Sequence, residues 1–83
     1  MKKILLDARE MEHPEPLRLA LKHLISMDDK SYLYMIHRKK PIPLIEIAKD
    51  KNFAHFIHED ALGIWHILIS KNLEIVLKDF LDV

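Results

Sequence analysis

The sequence predicts an α/β two-layer sandwich. Its elements run β-α-β-α-β-β around a four-stranded mixed sheet, with two helices on one face and an extra C-terminal helix. Three observations predict this. Two apolar, strand-like runs are each followed by Pro-x-Pro-Leu, at Pro14-Glu15-Pro16-Leu17 and Pro41-Ile42-Pro43-Leu44. Proline suits the first turn of a helix, where its fixed φ fits and its missing N–H would have no partner. Two later strand-like runs are separated by too little chain for a crossover helix, so they form an antiparallel hairpin. Finally, Leu73, Val76, Leu77, Phe80 and Leu81 recur at the helix period.

The elements follow in order. Lys3 to Leu6 is a short apolar run ending at Asp7 and reads as a buried strand. Leu17, Ala20, Leu21 and Leu24 form one apolar stripe, with Arg18, Lys22 and His23 between them, which is an amphipathic helix. Met27 to Lys30 is a polar break, and Ser31 to Ile36 carries the strand formers Tyr32, Tyr34 and Ile36. After the basic loop His37-Arg38-Lys39-Lys40, Leu44, Ile47 and Ala48 mark a second helix that Asp50-Lys51-Asn52 closes. Phe53 to His58 and Ile64 to Ile69 are the hairpin strands, joined through Glu59 to Gly63. Two β-α units in series imply parallel pairing of the first two strands.

At 83 residues the chain has room for one domain. The expected division is a domain over 1–71 and an amphipathic helix over 72–83 that packs on the domain or on a partner. Hydrophobic residues make up 49% and charged residues 31%, a balance that favours a packed core over disorder. Thirteen Lys and Arg match thirteen Asp and Glu. That excludes a general nucleic-acid coat, which needs a basic excess. Cysteine is absent, so there is no disulfide, thiolate metal site or cysteine nucleophile. The apolar run after Lys2-Lys3 stops too soon for a signal peptide, and none is long enough to span a membrane. The expected location is the cytoplasm.

Leu6-Asp7, a short turn and His13-Pro14-Glu15-Pro16 resemble the TusA/SirA-like small domains. Those are marked by Leu-Asp, a short turn and Cys-Pro-x-Pro opening the first helix. Gly63-x-Trp65 and Ile67-x-Ile69-x-Lys71 resemble the end of the same domain, so the likeness covers about residues 3 to 71. It is nearest to an uncharacterised, cysteine-less branch. In the sulfur carriers of this group a persulfide sits on the cysteine before the first proline. His13 occupies that position here. A methionine thioether has no ionisable thiol to replace it, so the resemblance implies the shape without persulfide sulfurtransferase activity.

Two β-α units place both β-to-α turns at one end of the sheet. Arg9, Glu12 and His13 then stand near His37, Arg38, Lys39 and Lys40. The candidate functional site is Arg9, Glu12, His13, Arg38, Lys39 and Lys40. A residue before proline is extended, which suits His13 as a helix N-cap. Neutral imidazole can act as base or ligand, although no Ser, Cys or second base is recognisably paired with it. The plain alternative is that His13 only packs in the turn. Pro14, Pro16 and Glu15 make this helix end a poor anion site. The cluster from His37 to Lys40 would attract an acidic partner, or would simply be a solvated loop. Six histidines do not make a metal site: His55 and His58 fall on opposite faces of a strand. No metal or cofactor is expected.

Strand alternation gives a second candidate region. With Leu33, Met35, Trp65, Ile67 and Ile69 toward the helices, Tyr32, Tyr34, Ile36, Ile64, His66 and Leu68 face outward. The resemblance sets these two strands side by side. The outer face would then be an apolar patch that needs a cover. Either the C-terminal helix supplies it, through residues such as Leu77 and Phe80, or a second copy of the chain does. The expected function is a non-catalytic binding or regulatory module with a protein partner or with itself. The alternative is an enzyme or a metal- or cofactor-handling role centred on His13.

Overall fold

The computed structural model describes residues 1–83. β1 (Lys2–Asp7) and β2 (Ser31–His37) pair in parallel, joined through α1 (Glu15–Ser26). α2 (Ile42–Asp50) leads to β3 (Ala54–Glu59), which pairs antiparallel with β4 (Trp65–Ser70). β4 in turn lies antiparallel to β2, and the strand order is β1-β2-β4-β3. The result is the mixed four-stranded sheet that two β-α units followed by a hairpin require.

Pro14 and Pro41 are the N-cap residues, and Pro16 and Pro43 are the second helical residues. His13 therefore stands one residue outside the cap position expected of it. Neither helix has a side-chain cap hydrogen bond. The stiff prolyl φ angles and tertiary packing define these starts instead. Asp60 shapes the hairpin turn: its Oδ1 accepts the N–H groups of Leu62 and Ile64 at 2.8 and 3.0 Å. Gly63 supplies the left-handed residue of that turn at φ +79°.

The two sheet faces carry separate apolar clusters. Leu33, Met35, Ile67 and Ile69 pack under α1 and α2 with Ala20, Leu24, Leu44 and Ala48. Tyr32, Tyr34 and Leu68 face the other way and pack with Leu77, joined by Ile36, Phe56, Phe80 and Leu81. The chain's own C-terminus covers this face.

That C-terminus differs from the expected α-helix. Residues 72–83 form a strap: a turn at Asn72, then a single 3-10 turn at Leu77–Phe80, with extended backbone at Leu81. The Asn72 side-chain oxygen accepts the N–H of Glu74 at 3.0 Å, closing a local turn. Twelve residues are too few for a helix to persist on its own propensity. The apolar period is met by pressing Leu77, Phe80 and Leu81 onto the sheet in a less regular conformation.

Candidate functional site

β1 ends in a tight turn built by Asp7. Its carboxylate accepts the backbone N–H of Arg9 at 3.2 Å and the Arg9 guanidinium at 2.9 and 2.7 Å. The guanidinium hydrogen bonds hold the Asp7 carboxyl down at about 2. Ala8, fully buried, continues the pairing by donating its N–H to the Ile36 carbonyl at 2.8 Å. This turn delivers Met11, Glu12 and His13 to the end of the sheet where β2 runs out into His37, Arg38, Lys39 and Lys40.

Between the two turns lies a cleft of about 190 Å³. Its lining includes Glu12 and His13 from the first turn and His37, Arg38, Lys39 and Lys40 from the second. Leu17, Leu44 and three prolines supply its apolar part. Arg38 reaches Glu12 across the cleft at 3.7 Å, an exposed pair that contributes little by itself. Lys40 lies 5.5 Å over the Trp65 ring, a cation–π contact that fixes the direction of its stem. His37 accepts the N–H of Lys39 through Nδ1 at 3.3 Å. Burial first, then the charges of Arg38 and Lys39, hold its imidazole below the ordinary proton affinity.

Five of the six candidate residues thus surround one cleft. Arg9 does not: it folds back onto Asp7. The reason is local, since a carboxylate two residues away offers the guanidinium a two-pronged partner. The cleft's chemistry is limited. Its lining contains no Ser, Thr or Cys, and nowhere do three or more His, Asp or Glu gather so as to hold a metal ion. Backbone anion binding at α1 is weak as well, because Pro16 has no N–H and Glu15 donates its own to the Glu12 carbonyl at 2.9 Å. An anion would have to be held by the basic side chains.

The outward stripe falls into two parts. Tyr32, Tyr34, Leu68 and Leu77 are buried, and Ile36 and Phe80 pack beside them. Ile64 lies in the hairpin turn, just before β4. His66 is buried too, but it is bonded: its ring meets the Tyr34 hydroxyl at 2.8 Å and the Asp60 carboxylate at 2.9 Å. The bond to His66, then the backbone N–H of Ile64, holds Asp60 below the usual carboxylate range. Burial pushes the Tyr34 phenol up. Sequence reasoning placed His66 and Tyr34 on one apolar stripe and missed that they bond to each other. The available signal was two polar groups on one buried face, which burial compels to find partners.

A family model described as "Uncharacterized conserved protein (DUF2249)" matches residues 5–71. No curated protein matches the sequence. Among solved structures, the chain is similar to a SirA-like protein from Desulfitobacterium hafniense. The match has a TM-score of 0.72 at 17% identity and covers 82% of this chain and 96% of that one. At that identity the likeness concerns the fold.

Proposed function

Because the chain belongs to the DUF2249 family of SirA/TusA-like domains, we propose that it is a non-catalytic binding module, acting in the cytoplasm, that holds an acidic protein segment between its two β-to-α turns. One observation carries this reading. Arg38, Lys39 and Lys40 face a single carboxylate, Glu12, around a cleft that Leu17 and Leu44 help to line and that holds no Ser, Thr or Cys. Exposed cations steer an acidic partner and select it, while apolar lining supplies the affinity. The position where related sulfur carriers keep a cysteine holds an exposed imidazole, His13, so the same end of the fold is left for recognition. No helix is long and apolar enough to cross a membrane.

The test is capture from the native lysate with the wild type and with a variant bearing Arg38→Gln, Lys39→Gln and Lys40→Gln. The wild type should retain a partner that added salt releases, and the variant, with an unchanged circular dichroism spectrum, should lose it. His13→Ala should weaken capture without abolishing it. Equal capture by the wild type and the triple variant sinks the proposal.

A further inference from the structure

A second hollow lies at the far end of the helix layer from the cleft. The two helices start together: Pro16 and Pro43, each the second residue of its helix, both line the cleft. α1 has 12 residues and α2 has 9, so α1 runs on by about 4.5 Å at the helical rise per residue. Its last turn has no second helix beside it. The gap is a groove of about 340 Å³, within the roughly 300–1,000 Å³ of small-molecule sites. Leu21, Leu24 and Ile25 of α1, Ile47 of α2 and Phe53 ahead of β3 line it. Leu24 is buried, whereas Ile25 is 82% exposed.

The remaining lining residues are Lys51 and Lys71, with no Asp or Glu among them. Lys71 is half-buried, and its Nζ donates to the Met27 carbonyl at 2.7 Å. That bond answers the negative end of α1 and holds the ammonium at the margin of the groove. An ammonium has three N–H donors, so two are left for a ligand. Lys51, the C-cap residue of α2, is exposed. Neither lysine is in a salt bridge. Asp28, Asp29 and Asp50 belong to the same end of the fold but lie outside the lining.

We propose that this groove binds a small amphiphile with an unbranched apolar chain and an anionic head, a fatty-acid carboxylate. The chain lies along Leu21, Leu24, Ile47 and Phe53, and its burial supplies affinity in proportion to the area removed from water. The carboxylate meets Lys71 in a charge-assisted hydrogen bond, and Lys51 adds a second positive charge. A neutral chain gains nothing from the lysines, and a cationic one is repelled. An extended peptide fits poorly, because the lining side chains include no acceptor for its N–H groups.

An NMR titration with decanoate, kept below its micellar concentration, tests the assignment. Shifts should saturate and map to Leu21, Ile25, Ile47 and Phe53, and dodecanoate should bind several-fold more tightly. Decanol should bind roughly tenfold more weakly, the worth of one charge-assisted hydrogen bond, and decyltrimethylammonium should give no saturable shift there. Ile25→Glu, at an exposed position, should leave the fold intact and abolish binding. Lys71→Gln should weaken binding about tenfold and Lys51→Gln less. If Lys71→Gln disturbs the end of α1, Ile25→Glu and Lys51→Gln decide. The protein should not co-sediment with phosphatidylglycerol vesicles; co-sedimentation that Ile25→Glu abolishes assigns the groove to bilayer lipid and overturns the free-acid ligand. Equal binding of decanoate and decanol, shifts centred on the strap or on Arg38 to Lys40, or undiminished binding by Ile25→Glu overturns it as well.

Discussion

Leu33 and Tyr34 are adjacent in β2 and equally buried, at 0% and 1% exposure, yet what buries them is different in kind. Leu33 lies under α1 and α2, helices tied at both ends into strands of the sheet. They cannot lift without tearing the chain's connections. Tyr34 lies under the strap, whose only regular piece is the 3-10 turn Leu77–Phe80. Helices of regular hydrogen-bonded turns packed on the main core belong to the global cooperative unit, whereas an irregular cover held by a few side chains can open locally. The helix-covered face should therefore set the stability of the fold, and the strap-covered face should open first.

The largest effect expected from this contrast is at Leu33. Leu33→Ala empties a fully buried site that cannot collapse easily, and should cost about 2–5 kcal/mol in urea denaturation. Deletion of residues 72–83 should leave the sheet and both helices in place but bare Tyr32, Tyr34 and Leu68. Sedimentation should then show association. A truncated chain that stays monomeric and equally stable breaks the comparison outright. Leu77→Ala should cost less than Leu33→Ala although Leu77 is only 4% exposed. Its penalty is capped by the docking free energy of the strap, because the strap can let go instead of tolerating a cavity.

Smaller effects concern the titrating groups near the cleft. The folded chain holds His37 below its ordinary proton affinity, by burial and then by Arg38 and Lys39. Between the usual imidazole range and that lowered value, the unfolded chain binds more protons here. Stability should therefore fall as pH drops through that window. An NMR titration should find His37 raised by Arg38→Gln but not fully restored, since burial is the larger cause. Asp7, held at about 2 by Arg9, has the carboxylate sign. Its contribution is present above the ordinary carboxylate range and is lost as pH falls toward 2. Because the pair is roughly half exposed, Asp7→Asn should change stability near neutral pH only slightly, measurable by thermal melting.

Much of this was legible in the residues because it is local. Pro16 and Pro43 announce helix starts by their own covalent geometry. The short Glu59–Gly63 interval permits only a hairpin, and the alternation along β2 and β4 names which side chains share a face. The convergence of Glu12 and His13 with Arg38, Lys39 and Lys40 follows from two successive β-α units. Arg9 was placed there too, and it is absent because the competing Asp7 carboxylate depends on how the turn closes.

The sequence by itself determined the order of elements, the sign of the charge at the β-to-α end and the lack of any sulfur nucleophile, since these depend on residue identity and short-range spacing. Only the tertiary structure decided the form of the last twelve residues and the bonding of His66. A short amphipathic segment takes whatever conformation best fits the surface it covers. A buried polar group takes partners from strands and loops that come together only on folding.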